Sequence, residues 1–414
     1  MRVSRAFSRL LDLEGIWVRR VQFFSDRVVI WVALRRRRLD CPLCSYSTRH
    51  RHNQQSVESI WRHLDLGIWR LEIRARLRRL ECPEHGVRVE GVPFARHRSG
   101  FTRDFEQLVA WLATRTDKTT IKRMVRIDWD TVGRIIARVC ADELDPDRLH
   151  NLFEIGIDEV SWKRQHNYHT LVADHIRGEI VWGTEGNNQA AADRFFKELG
   201  KSRSRAIEVI SLDMGPGYAK SARKHAPQAI VAIDPFHVVA LANRALDDVR
   251  RAYWNELRRL DDPDAARRFK DARWSLLKKP DNLNDQQART LRRLKAAGGE
   301  VWRAYTLKEA LRGIFAPSLT VNDVELLLNR FMSRAARSRL APFVRLGQTI
   351  HKHRDGILNA IRLGINQGRT EALNNKVRLI TRRAYGFHTA QAALALVLLT
   401  CGPIALQPPH ESPP

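Results

Sequence analysis

Three short apolar runs, each stopping at an aspartate, constrain this chain more than any other feature. They are Phe153-Glu-Ile-Gly-Ile-Asp158, Ala206-Ile-Glu-Val-Ile-Ser-Leu-Asp213 and Ala229-Ile-Val-Ala-Ile-Asp234. Apolar runs of this length, rich in β-branched residues and bounded by turn residues, read as buried strands. Two more strands fit between the first pair, Tyr168 to Asp174 and Glu179 to Gly183, joined by a tight turn at Arg177-Gly178. Ala190 to Leu199 is a helix, and Met214-Gly-Pro-Gly turns the chain into another.

The order is strand, strand, strand, helix, strand, helix, strand, which is the layout of an RNase H-like core. That layout sets the first acid, Asp158, on the first strand and the second, Asp213, on the adjacent fourth strand. Asp234 comes one strand too late. Two carboxylates at neighbouring strand ends can share divalent cations, and two-metal sites stabilise both oxygens of a phosphoryl displacement. Such a site needs a third carboxylate. In Asn366-Gln-Gly-Arg-Thr-Glu371-Ala-Leu-Asn-Asn-Lys-Val-Arg, helical spacing gathers Glu371, Asn375, Arg378 and Arg382 on one face. Leu373, Val377, Ile380 and Ala384 fall on the other. An acid is thereby presented beside amide and basic groups while an apolar stripe is buried. Each acid alone is commonplace at a strand end or on a surface, and only the constellation carries meaning.

The N-terminal region, residues 1–98, alternates apolar and polar residues as strands do, notably in Leu71-Glu-Ile-Arg-Ala-Arg-Leu77. Two metal-binding half-sites lie in it: Cys41-Pro-Leu-Cys44 and Cys82-Pro-Glu-His85. Cys3His is a common closed set for structural zinc, and paired knuckles among strands suggest a zinc ribbon. His50, His52 and His63 lie between the halves as rival ligands. The run Arg35-Arg36-Arg37-Arg38 suits phosphate contact or a solvated edge equally.

Residues 99–148 hold three short helical patterns, from Thr102 to Ala113, from about Asp117, and after the potential N-cap Asp128. A helix-turn-helix lays its last helix in the major groove, which makes Trp129, Asp130, Thr131, Arg134 and Arg138 candidates for DNA contact. Any three-helix connector shares that periodicity, and the basic surroundings favour DNA.

The charge agrees: 72 Lys and Arg against 46 Asp and Glu give +26, spread along the whole chain. Such a field concentrates polyanions, although a ribosome-associated protein would share it. Five cysteines, Cys41, Cys44, Cys82, Cys140 and Cys401, argue against a secreted disulfide framework. The N-terminus carries Asp12 and Glu14 where a signal peptide needs apolar residues, and Ala390 to Leu406 is too short and interrupted to span a bilayer. We expect a cytoplasmic protein acting at the nucleoid, with no membrane partner.

The pieces together resemble the ISL3-family transposases of bacterial insertion sequences along essentially the whole chain. The resemblance rests on Cys41-Pro-Leu-Cys44, Gly156-Ile-Asp158-Glu, Asp213-Met, Asp234-Pro-Phe-His237-Val-Val, Asn366 to Lys376 and Arg382-Arg-Ala-Tyr-Gly-Phe387. It implies Asp158, Asp213 and Glu371 as a DDE triad holding two Mg²⁺ ions. His85 stands where a fourth cysteine might be expected. It also implies that the densely charged helical stretch 246–355 is an insertion into the core. The expected fold is thus α/β and multidomain: zinc ribbon 1–98, helix-turn-helix 99–148, RNase H-like core 149–245, helical insertion 246–355, second core part 356–404 with Glu371, and a disordered tail 405–414.

Asp234-Pro-Phe-His237 resembles a signature of relatives with such insertions and could position DNA or the active-site helix; a structural hydrogen bond from His237 to a strand end explains it equally. Trp254, Trp274 and Trp302 could stack on a distorted base, or pack in a core. The expected activity is metal-dependent cleavage at terminal inverted repeats followed by strand transfer, by a dimer or larger assembly on double-stranded DNA. Two rivals share these residues: a domesticated DNA-binding protein, and an RNase H-like nuclease without strand transfer.

Overall fold

The structure is a computed structural model that describes residues 3–163, 167–214, 216–259, 266–267, 269, 272–364 and 368–411; of residues 216 and 368–371 only the backbone is described. The chain divides into two compact units, Met1–Arg148 with Val377–Pro414, and Leu149–Lys376.

The first unit opens with a helix, α1 (Val3–Leu11), where the sequence pattern suggests only strands. Its apolar spacing, Val3, Phe7, Leu10, is short, and only Phe7 is buried. β1 (Ile16–Phe23) and β2 (Arg27–Leu34) follow, then the short β3 (Leu39–Asp40), β4 (Ser47–Thr48) and β5 (Asn53–Gln54). β6 (Ser59–Leu66), β7 (Trp69–Ala75), β8 (Arg78–Cys82) and β9 (Gly86–Val89) complete the strands. The main sheet has the order β1-β2-β7-β6. Its inner face is the alternate set Ile16, Val28, Ile30, Val32, Trp61, Leu71 and Ile73, packed on Phe94 and Phe7. The strands β3 and β4 form a small antiparallel pair, and β5, β8 and β9 form a three-stranded antiparallel sheet.

Three helices come next: α2 (Arg103–Ala113), α3 (Lys118–Val125) and α4 (Trp129–Glu143). Thr102 caps α2 by accepting from the Phe105 N–H, and Asp117 caps α3 by accepting from Thr119 and Thr120. Asp128 occupies the N-cap position of α4 but makes no side-chain cap bond. Between α3 and α4, Arg126 adopts a left-handed conformation, φ 55°. The apolar helix Ala390–Cys401 packs against α4 in this same unit. The segment that reads from sequence as one piece, 356–404, is thus divided, with Val377 onward belonging to the first unit. Ala405–Glu411 is irregular, with Pro408 buried.

The second unit is built on one five-stranded sheet, from β10 (Glu154–Lys163), β11 (Asn167–Asp174), β12 (Glu179–Glu185), β13 (Val209–Leu212) and β14 (Ile230–Ile233). Its order is β12-β11-β10-β13-β14. The first three strands form an antiparallel meander, while β13 and β14 run parallel to β10. Parallel neighbours need crossovers, supplied by α5 (Gln189–Leu199) with the short α6 (Lys201–Ser204), and by α7 (Pro216–His225). Phe195, Phe196, Tyr218 and Ala222 cover Ile155, Ile157, Val172 and Ile210 of the sheet.

β10 runs well past Asp158, where its apolar run ends in the sequence. The residues Glu159 to Lys163 are more polar, but they stay paired with Asn167 to Thr170 of β11. α8 (Pro235–Arg259) starts directly after β14 and continues for 25 residues, through the expected boundary at 246. Around it the helices Gly299–Gly313, Val321–Ala336, Ala341–Lys352 and Arg354–Arg362 share one apolar core, with Leu246, Leu311, Leu328, Phe343 and Ile357 at its centre. That core includes Ile233 of β14, so helices and sheet meet without a break.

Gly156 allows a close approach in this sheet. A Cβ there would lie 2.9 Å from His175 Nε2 and 3.1 Å from Ser211 Oγ, which are hydrogen-bonded to each other at 2.6 Å. Gly156→Ala should therefore separate that pair and lower the unfolding free energy by about 1–3 kcal/mol, as overpacking does. Urea denaturation of wild type and variant checks this.

Candidate active site, metal centre and DNA-reading helices

The register of β10 with β13 brings the first two acids together. The parallel pairing runs Glu154 with Val209 through Ile157 with Leu212, so Asp158 and Asp213 follow at adjacent positions. Leu212 pairs in turn with Ile233, so Asp234 continues the row on the third strand. Asp234 is engaged locally. Its Oδ1 accepts the Phe236 N–H at 2.5 Å at the start of α8, and its Oδ2 lies 3.9 Å from His237 Nε2.

Asp158 is held on both oxygens. Oδ1 accepts the Glu159 N–H at 2.7 Å, and Oδ2 accepts Nδ2 of Asn374 at 2.7 Å. Asn374 belongs to the helix Gly368–Arg383, one turn after residue 371, which stands on the same helix; the Glu371 side chain lies outside the described residues, as do residues 365–367. Leu373, Val377 and Ile380 are buried as their spacing suggests, and Asn375, Lys376, Arg378 and Arg382 are exposed.

Neighbours without any local sequence signature surround the acids. Tyr218 donates to or accepts from Thr170 at 2.8 Å. Burial pushes its hydroxyl pKa up, the Thr170 bond opposes this, and the Glu159, Asp213 and Asp158 carboxylates push it further. Glu159 itself accepts from Asn187 at 2.9 Å. His353 is held below its usual range by burial first, then by Lys352 and Arg223, while Asp213 acts the other way. Sequence reasoning misses Tyr218, Thr170, Asn187 and His353 because each is defined by a partner far along the chain.

The second cluster is formed by Cys41, Cys44, Cys82 and His85, whose ligand atoms all lie within 4.8 Å of one another. Cys44 Sγ to Cys82 Sγ is 3.7 Å, Cys41 Sγ to His85 Nδ1 is 3.9 Å, and Cys82 Sγ to His85 Nδ1 is 3.6 Å. A tetrahedral zinc with arms of about 2.3 Å has ligand–ligand edges of about 3.8 Å, so the set fits that ion. Of the rival ligands, His50 and His52 are exposed outside the cluster. His63 is buried and hydrogen-bonded to Thr102 Oγ1 at 2.8 Å.

The expected DNA-facing side chains are not equally available. Arg134 is exposed and, among the described residues, bonds locally to Thr131. Arg138 is committed: it pairs with Glu106, which is fully buried and also holds Arg96 and Ser99. An isolated buried carboxylate is costly, so Arg138 is needed there and is a poor phosphate contact. Trp129 is half-buried, edge-on to His388 at 5.1 Å and beneath the Lys118 ammonium at 4.0 Å. In the arginine run, Arg35 stacks on Trp17, Arg36 pairs with Asp40, Arg38 bonds Ser47, and Arg37 is exposed. Trp254 and Trp302 pack against the helical core, the latter stacked on Tyr305, whereas Trp274 is 54% exposed.

The acids of the sheet and the helices α2 to α4 fall within matches to known proteins. The ISL3-family DDE model, described as a transposase, matches residues 155–396, and the helix-turn-helix domain of transposase family ISL3 matches residues 90–140. The chain belongs to the ISL3 family of DDE transposases. It is similar to the transposase for insertion sequence element IS1557 of Mycobacterium tuberculosis, 41% identical over 360 residues that cover 82% of this chain and 81% of that one. The transposase for insertion sequence element IS1001 of Bordetella parapertussis is 28% identical over 380 residues, 90% of this chain and 92% of that one. DNA is therefore its substrate class, through a helix-turn-helix, and DDE chemistry brings use of a divalent metal. Among the described residues no helix is long and apolar enough to cross a membrane.

The metal set and the buried histidine each lend themselves to measurement. Cys82→Ser should lose one equivalent of protein-bound zinc, read by elemental analysis, and lower the melting temperature of the protein. His63 has its pKa lowered to about 4 by burial, and Asp104 at 4.0 Å does not offset this. An unfolded histidine titrates near 6.5, so between about pH 6.5 and 4 the unfolded chain binds the extra proton. Stability should then fall as pH drops through that window, by on the order of 2–3 kcal/mol, and His63→Asn should remove that part of the slope in denaturation curves.

Proposed function

We propose that this chain is an insertion-sequence transposase that cleaves and joins DNA with Asp158, Asp213 and Glu371 on an RNase H-like sheet. One observation carries the reading: Asn374 donates to Asp158, which brings the helix bearing residue 371 to the strand bearing the first acid. The all-oxygen donor set suits hard cations, and two Mg²⁺ ions bound there supply Lewis-acid stabilisation of the attacking and leaving oxygens. Asp158 and Asp213 hold the cation site from adjacent strands, and Glu371 closes it from the helix. The first step is hydrolysis of a phosphodiester at the end of the element, with water as nucleophile and a 3′-hydroxyl released. That hydroxyl then displaces a 3′-oxygen in a target phosphodiester, without a covalent enzyme intermediate.

The remaining parts grip DNA. Arg134 of α4 reads or clamps the terminal inverted repeat, the Cys41–Cys44–Cys82–His85 centre holds a structural zinc, and Arg37 offers a phosphate contact. Lys376, Arg378 and Arg382 follow Glu371 on the same helix and hold phosphates of the DNA. Trp274 is the tryptophan of the helical region free to stack on a base, with Arg273 over its ring at 5.2 Å. Synapsis of two ends calls for a dimer or larger assembly, working at the nucleoid.

Asp158→Ala, Asp213→Ala and Glu371→Gln should each lower metal-dependent cleavage of the element's own ends by at least about 10³-fold, with end binding in gel shift retained. Wild-type protein should also give joined products with a target plasmid. Cleavage that survives any of the three changes would sink the triad, and cleavage without joined products would leave a nuclease.

A further inference from the structure

We infer that Asn374 is a positioning residue for this site: its amide sets the plane of the Asp158 carboxylate and ties that plane to docking of the helix that carries Glu371. This deepens the proposed triad and rests on it. A carboxylate rotates easily about its last bond, whose torsion is broad and roughly two-fold. Asp158 receives one N–H on each oxygen, from Glu159 on Oδ1 and from Asn374 on Oδ2, both at 2.7 Å. Two donors on opposite oxygens fix the plane. An ionised carboxylate has about four lone-pair sites, so two remain for a cation.

The two donors differ in kind. The Glu159 N–H belongs to the same strand and is present whatever the rest of the protein does. The Asn374 amide comes from 216 residues away, so it reaches Asp158 only when its helix is seated. Residue 371 precedes it by three positions on that helix, and residues three apart lie on one face. Seating the helix therefore orients the first acid and delivers the third in one movement. Asparagine is also a weak helix former, prone to bond backbone in other conformations, and here it sits within the helix rather than at its cap. Its neighbour Asn375 is exposed on the same helix, whereas Asn374 is half-buried.

The test uses the full-length protein and Asn374→Ala, with Asp158→Ala and Glu371→Gln beside it. In metal-free protein, hydrogen exchange of the amides from residue 372 to 380 should be faster in Asn374→Ala than in wild type, while the amides of β10 and β13 keep their protection. Mn²⁺ binding followed by electron paramagnetic resonance should weaken by about tenfold, the usual scale for loss of a group that orients a ligand. The Mg²⁺ concentration for half-maximal cleavage should rise in step, with most of the rate recovered at saturating metal and end binding in chelator unchanged. Unchanged exchange and Mn²⁺ affinity would overturn the inference, as would a cleavage defect that no metal concentration relieves. If Asp158→Ala or Glu371→Gln still cleaves, the triad itself fails, which is a different result from an inert Asn374.

Discussion

The functional unit depends on four residues of parallel pairing between β10 and β13. Because side chains alternate faces along a strand, a slip of one residue would turn Asp158 away from Asp213 and expose the apolar set that α5 and α7 cover. The buried face therefore enforces the position of the acids. Ile155 and Ile157 on one strand and Ile210 and Leu212 on the other are all buried, and a one-residue slip would turn one pair out of that core. Gly156 contributes to the same tight packing, since only a residue without a Cβ leaves room for the His175–Ser211 bond.

What is legible in the sequence is whatever depends on neighbours in the chain. Apolar runs ending in aspartate mark the strands, Thr102 and Asp117 mark helix starts, and the spacing of Cys41, Cys44, Cys82 and His85 marks a metal set that the fold does assemble. What is illegible depends on partners far away. Arg138 looks free because Glu106, which claims it, lies 32 residues earlier. Asn374 looks like its twin Asn375 until the strand opposite is known. β10 reads as ending at Asp158 because its second half is polar, and only the pairing with β11 keeps it extended. α1 escapes notice because nine residues give little periodicity to read.

The first unit shows a similar economy around one buried acid. Glu106 binds Arg96, Arg138 and Ser99, and Arg96 goes on to Asp142 and Glu143. Helices α2 and α4 and the segment before them are thus joined through charged groups that satisfy one another inside the fold. Such a network fixes relative geometry more than it adds stability, since burying charges is costly. His63 and Thr102 add a second tie, from β6 to the start of α2. For helices that must meet DNA at a fixed angle, geometry is the property that matters.

The long helix α8 has a consequence for anyone wishing to shorten this protein. Its 25 residues extend about 37 Å at 1.5 Å per residue, and its first turn is seated on Asp234 at the end of β14. Excising the helical body at residue 246 would sever this rod midway and strip Leu246 and Val249 from the core they share with the later helices. The natural seam is at the strand end instead. A minimal version would have to rejoin the chain between Ile233 and Arg354, because the helix that starts there packs directly on β14, with Gly356 against Ile233.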